Sequence, residues 1–262
     1  MIHIRIDPKL LQLGPTTVAW HGIWLAAGVL FGSWLFMRES RRKGLDRDQL
    51  LELLLWVLVT GYIGARLLHV LLYEWDTYSA QPLSILAVHT GGLSVNGALI
   101  GGTLAVALYA RWKQLPFWHL ADAAILGIAA GEIVGRVGCT IAGDVPGIPT
   151  NSAWGLVYWH PDASISSSMI GVPTFPAPVA IQLWNAGLLA LLLTLRTRLQ
   201  RPGALFLIGM LGYSVGRFLI NIWQIENPLL LGLKPTQIVA LVIMCTAILS
   251  LLLRKRQASS RP

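Results

Sequence analysis

Residues 50–72 read LLELLLWVLVTGYIGARLLHVLL, an apolar run interrupted by Glu52 near its start and by Arg66 and His69 near its end. About 20 predominantly apolar residues in helical form cross a hydrocarbon core, so this stretch is long enough to span. Runs of the same kind recur at 18–37, 93–109, 117–137, 179–195, 203–223 and 236–253. Each is expected to be helical, because backbone polar groups in lipid must be satisfied within their own segment. The expected fold class is all-α, a polytopic membrane helix bundle with about seven transmembrane helices. The runs at 93–109 and 179–195 are the shortest, and their glycine-rich neighbours are expected to lengthen them.

Composition agrees. Of 262 residues, 55% are hydrophobic and only 12% charged, against about 25% charged in a soluble domain. The length accommodates seven spans with short connections, so one integral-membrane domain over 1–262 is expected, with no soluble appendage. A net charge of +8 would suggest nucleic acid in a soluble chain. Here the basic residues sit in short runs at the ends of apolar segments, which is a topology signal, and no nucleic-acid partner is expected. Cys139 and Cys245 form neither a metal-binding spacing nor a disulfide framework, and no metal is expected.

The charges orient the chain. Fourteen Lys and Arg fall on one side: Arg38, Arg41, Arg42, Lys43 and Arg47, then Arg111 and Lys113, then Arg196, Arg198 and Arg201, then the tail 254–262 with Arg254, Lys255, Arg256 and Arg261. The other side holds only Arg5, Lys9 and Lys234. The positive-inside rule puts the fourteen in the cytoplasm, with the amino terminus outside and the carboxyl terminus inside. The first span is too long for a signal peptide, lacks a small-residue cleavage site and runs straight into basic residues, so it is expected to be retained. The outer loop 140–178 carries no Lys or Arg, and its Trp154, Tyr158, Trp159 and Phe175 suit either a headgroup belt or a docking lid.

Three arginines remain, Arg66, Arg136 and Arg217, all within or at the outer end of spans. An arginine at mid-span costs about 2.5–3.5 kcal/mol on the insertion scale, so each marks a cavity or a partner. Tyr62, Arg66, His69 and Tyr73 share one helical face. Glu132 and Arg136 are spaced to pair, among Gly131, Gly135 and Gly138, which permit close helix approach. Tyr213, Arg217, Asn221 and Gln224 form a third stripe, and Asn96, Gln182 and Asn185 add neutral polar groups. Few intramembrane acids, Asp122 and Glu132, answer these arginines, so at least one is expected to be available to an anionic ligand. A phospholipid headgroup is the nearest candidate, because a guanidinium fork matches phosphate. The run 91–102, with five glycines including Gly91, Gly92 and Gly97, suggests backbone held close to something.

These pieces occur together in a known order. Leu13-Gly14-Pro15 leads to Trp20-His21-Gly22, followed by Gly64-Ala65-Arg66-Leu67, the run 91–102, and Gly135-Arg136-Val137-Gly138. Gln182-Leu183-Trp184 and Tyr213-Ser214-Val215-Gly216-Arg217-Phe218 complete the set. Along nearly its whole length the chain resembles the prolipoprotein diacylglyceryl transferase family. The resemblance implies transfer of a diacylglyceryl group from phosphatidylglycerol to the cysteine thiol of a prolipoprotein signal peptide in the bacterial inner membrane, with glycerol phosphate leaving. The arginines would hold the headgroup phosphate and stabilise its developing charge, and neither metal nor organic cofactor is required. It also implies catalytic roles for Arg136, Arg217 and Tyr213, and substrate-binding roles for Arg66, Asn96, Gly91, Gly92, Gly97 and Asp144.

The chain departs from the family's pattern at several positions. The family's histidine in the glycine run is Asn96, its asparagine after Gly-Arg-x-Gly is Cys139, and its Gly-Glu pair is Gly143-Asp144. The tyrosine after the first tryptophan is His21, and Asn221 and Gln224 replace a glutamate and an arginine further on. Because a thiol needs activation to thiolate and an amide takes no proton at useful pH, His21 is expected to act as proton acceptor. Three functions stay open: the transferase with a rearranged site, a divergent paralogue acting on another thiol or lipid, and a non-catalytic lipid-binding protein of the same fold.

Overall fold

The computed structural model describes residues 1–14, 16–73, 75, 85 and 94–259. Among these residues the chain forms α1 (Trp20–Arg42), α2 (Arg47–Tyr73), α3 (Val95–Trp112), α4 (Phe117–Ala142), α5 (Ala177–Leu195), α6 (Ala204–Asn221) and α7 (Pro235–Ser259). All but α3 are long and apolar enough to cross a membrane. Helix α3 has only 18 residues, and Asn96, three glycines and Arg111 dilute its apolar content. The result is an all-α polytopic membrane fold.

Packing divides the described chain into two compact units, Met1–Phe36 with Ala121–Pro262, and Met37–Leu120. In the first, α1 and α4 touch backbone to backbone. A Cβ built on Gly28 would lie 2.5 Å from the Gly131 carbonyl oxygen, and one on Gly32 would lie 2.6 Å from that of Gly127. Helices in lipid gain little from hydrophobicity, so small residues that permit such approach drive their association. Leu35, Ile125, Leu126, Leu188, Leu192 and Leu205 form the neighbouring core. The ends of α6 are held by other segments. Asp122 of α4 accepts from the backbone N–H groups of Gly203 and Phe206, both at 2.9 Å. Lys234 Nζ donates to the carbonyls of Asn221, Ile222 and Gln224. Both satisfy helix-end groups that have no intrahelical partner.

In the second unit α2 and α3 pack just as closely. A Cβ on Gly97 would overlap the Gly64 carbonyl oxygen, and one on Gly101 the Thr60 carbonyl oxygen. At the basic end, Tyr109 donates to Glu52 at 2.7 Å and Lys113 pairs with the same carboxylate at 3.1 Å.

Several boundaries differ from those expected of the sequence. Helix α1 begins at Trp20, because β3 (Thr16–Ala19) pairs antiparallel with β2 (Lys9–Leu13). Helix α4 runs on to Ala142, which shortens the loop expected at 140–178 and puts Cys139 on a helix. The loop is packed: β4 (Leu156–Tyr158) lies parallel to β1 (Ile2–Ile4), over a small core of Ile4, Leu156, Tyr158, Ala163 and Ile165. Tyr158 is therefore a core residue rather than an interfacial one, 2% exposed, with its hydroxyl donating to the Thr140 carbonyl at 3.0 Å. Phe175 stacks on Trp223, while Trp154 stays exposed.

Because the Gly97 position is filled by the Gly64 backbone, Gly97→Ala is expected to destabilise the protein by about 1–3 kcal/mol. Gly187→Ala, on an open face of α5, should be neutral or slightly stabilising. Thermal unfolding of the two variants in one detergent checks this.

Candidate active site

In the first unit α4, α5 and α6 meet at one carboxylate. Glu132 Oε1 accepts from Arg136 Nη2 at 3.3 Å and from the Tyr213 hydroxyl at 3.2 Å, and Oε2 accepts from Asn185 Nδ2 at 2.8 Å. Gln182, on α5, donates to the Ile133 carbonyl at 2.8 Å. Glycine lets α5 and α6 close on each other, since a Cβ at Gly216 would run into the Trp184 indole, whose N–H donates to the Gly212 carbonyl. One turn beyond Tyr213, Arg217 Nη1 is buried with no hydrogen-bond partner among the described residues. Arg136 and Arg217 both act electrostatically on the Tyr213 hydroxyl. Glu132 is thus engaged by Arg136 and not by Arg217 among the described residues, which leaves cationic hydrogen-bonding capacity inside this unit.

A second cluster lies one turn along α4. His21 Nδ1 is 3.0 Å from Asp144 Oδ2 and 4.0 Å from Cys139 Sγ, and Arg136 Nη1 is 3.8 Å from that sulfur. Glycines bring the three together. A Cβ at Gly138 would be 2.9 Å from the His21 Cα, so α4 passes the start of α1 at the closest distance a residue allows. Gly143, at φ +77°, turns the chain back after α4 and delivers Asp144 to His21. Burial opposes the Asp144 carboxylate, but the hydrogen bond and charge of His21, with Cys139 and Arg136 beside it, hold its carboxyl below the usual range. The pairing therefore stabilises the fold at neutral pH and is lost as pH falls through that depressed value. Burial, with the Asp144 charge adding, pushes the nearby Tyr158 phenol up.

Of the residues expected from sequence, His21, Arg136, Asp144, Tyr213 and Arg217 fall in this one unit. Arg66 and Gly97 belong to the other, where Arg66 is buried with its Nε donating to the Ile85 carbonyl at 2.9 Å. Gly97 there meets the Gly64 backbone. Asn96 lies in the first turn of α3, its side chain outside the described residues, and Gly91 and Gly92 lie outside them altogether. Sequence reasoning passed over Cys139 and Asn185 as site members and read Glu132 only as a partner for Arg136. The spacing 132, 136, 139 along one helix face was the available signal. In the second unit α2 and α3 also wall a cavity of about 660 Å³ lined by Trp56, Ile63, Leu67, Leu104, Leu108 and other residues, nearly all apolar.

A family model described as prolipoprotein diacylglyceryl transferase matches residues 8–253. The phosphatidylglycerol–prolipoprotein diacylglyceryl transferase of Synechococcus elongatus is 35% identical over 253 residues, covering 93% of this chain and 86% of its own length. The enzyme of that name from Bacillus mycoides is 32% identical over 257 residues, covering 98% and 95%. That from Bacillus velezensis is 34% identical over 253 residues, covering 95% and 93%.

Removing Glu132 takes from Arg136 the carboxylate it is paired with inside the bundle, so Glu132→Leu is expected to cost about 3 kcal/mol. Asn185→Leu and Tyr213→Phe each remove one donor and should cost about 1 kcal/mol. Unfolding measured in detergent checks the order, and equal costs for all three would refute the central part given to Glu132.

Proposed function

The chain belongs to the prolipoprotein diacylglyceryl transferase family, and on that premise we propose that it moves the diacylglyceryl group of phosphatidylglycerol to the cysteine thiol of a prolipoprotein signal peptide. The observation that carries this reading is the unpartnered Nη1 of Arg217 beside the Arg136–Glu132–Tyr213 cluster. A buried guanidinium nitrogen without an acceptor is costly to keep, and a headgroup phosphate oxygen supplies the acceptor it lacks among the described residues. Arg136 keeps one nitrogen on Glu132 and directs the other towards the sulfur of Cys139. As the glyceryl carbon–oxygen bond breaks, charge builds on the departing phosphate, and fixed donors there stabilise the transition state more than the ground state. The acceptor thiol is activated at His21 and its two neighbours. Arg66, Asn96, Gly91, Gly92 and Gly97 keep their proposed substrate-binding roles.

The protein is a multi-pass bacterial membrane protein. We place it in the inner membrane as a single integral domain, amino terminus outside, from the distribution of fourteen basic residues against three. This orientation puts His21 and Asp144 at the outer face, where signal peptides present their cysteine after export begins.

Two measurements test these proposals. With phosphatidylglycerol and a lipobox peptide followed by mass spectrometry, the wild-type protein should add one diacylglyceryl group, and Arg217→Gln should lower the rate about 10²–10³-fold. Arg217→Lys should recover only part, since a point charge replaces a fork. His21→Phe should lose most activity. Full transfer by Arg217→Gln would overturn the phosphate assignment. For topology, a cysteine placed at Ser152 should react with an impermeant thiol reagent from outside and one at Lys43 should not; the opposite pattern would reverse the orientation.

A further inference from the structure

His21, Cys139 and Asp144 are not all neighbours in sequence, yet they form one contact group. We propose that they are the protein ligands of a divalent zinc ion whose fourth coordination position receives the acceptor thiol. The inference rests on the transferase reading above and supplies the step that turns the acceptor thiol into a thiolate.

The donor set is one imidazole nitrogen, one thiol sulfur and one carboxylate oxygen, all within 4.8 Å of one another. With sides of 3.0 and 4.0 Å fixed by His21 Nδ1 to Asp144 and to Cys139, such a triangle has a point within about 2.4 Å of every corner. Zinc bonds of roughly 2.0–2.3 Å to these atoms then need shifts of only tenths of an ångström. Nitrogen, sulfur and oxygen donors together suit zinc rather than a hard cation such as magnesium. Three protein ligands and an open position are the arrangement of a reactive rather than a structural zinc site.

Charge and surroundings agree. Cysteinate and aspartate cancel the two positive charges, so the loaded site is neutral beside the apolar part of the protein. Arg136 Nη1, 3.8 Å from the sulfur, supplies the outer-shell hydrogen bond that orients a metal-bound thiolate. Cys139 is buried, while the His21 and Asp144 side chains are 38% and 30% exposed, leaving one side open for entry. Gly138 and Gly143 hold the ligands against each other without help from the metal, so the site is largely formed before binding.

The chemistry follows from the open position. The incoming peptide thiol binds the zinc and loses its proton to water, because a coordinating thiol is deprotonated outright. Its sulfur lone pair then forms the carbon–sulfur bond as the glyceryl carbon–oxygen bond breaks. The bonding pair leaves with the phosphate oxygen as glycerol phosphate. The thioether product is a weak ligand and dissociates. His21 thereby acts as ligand rather than base, and zinc replaces the proton between Nδ1 and Asp144.

The test uses the full-length protein in detergent, loaded with zinc or with cobalt as a spectroscopic probe. The wild type should retain one zinc per chain after dialysis, and its cobalt form should show thiolate-to-cobalt charge transfer. Cys139→Ser, nearly isosteric, should abolish that band and weaken cobalt binding by more than the ~10–100-fold that outer-shell changes cost. His21→Ala should lose the metal as well. Stripping with a strong chelator should stop peptide modification, and stoichiometric zinc should restore it. Wild-type protein that holds no zinc, or a cobalt spectrum unchanged in Cys139→Ser, overturns the site. Full transfer by metal-free protein also overturns it but leaves the transferase reading standing. Bound zinc with no transfer to any lipobox peptide would overturn the transferase reading and leave the metal site intact.

Discussion

The Glu132 carboxylate sits among helices whose other side chains are almost all apolar, and the helices around it have arranged their polar groups to suit it. Arg136 answers from the same helix, Asn185 from α5 and Tyr213 from α6. A carboxylate at this depth is tolerable only with donors on both oxygens, and those donors fix how α5 and α6 rotate about their axes. Because rotation is fixed there, Arg217 is fixed one turn further along α6. Its Nη1, without a partner among the described residues, lies where the ion pairing around Glu132 stops.

The same helix carries the second cluster at a remove of one turn, and here the constraint is steric. Gly28, Gly32, Gly127, Gly131 and Gly138 let α1 lie against α4, so the first residues of α1 reach Cys139. Arg136 touches both clusters, bonded to Glu132 on one side and close to Cys139 on the other. A thiol brought to His21 is then one residue's reach from the group that would hold the phosphate. That adjacency suits a displacement whose nucleophile and leaving group must lie on opposite sides of one carbon.

The spans and their approximate limits were legible in the sequence because lipid imposes a length and a composition that no packing detail can override. Residues 18–37 and 117–137 were read short for one reason: hydropathy weakens where a helix continues into the interface. The missing turn of α4 is the one that carries Cys139. The pairing of β1 with β4 joins segments more than 150 residues apart and leaves no local pattern. The burial of Tyr158 depends on that pairing, which is why an aromatic residue in a long loop between spans reads as interfacial.

The amino-acid sequence by itself determined the membrane class, the expected orientation and the presence of three arginines within apolar spans. All of these follow from local composition against a fixed bilayer thickness. The resemblance carried by its motifs assigned the family. Only the tertiary structure decided which polar residues meet. It separated Arg66 and Gly97 from Arg136 and Arg217 into different compact units, and it joined His21, Cys139 and Asp144 across more than a hundred residues. That outcome turns on glycine contacts a few tenths of an ångström tighter than any side chain permits, and on one left-handed residue after α4. Both are properties of two segments together and cannot be read from either alone.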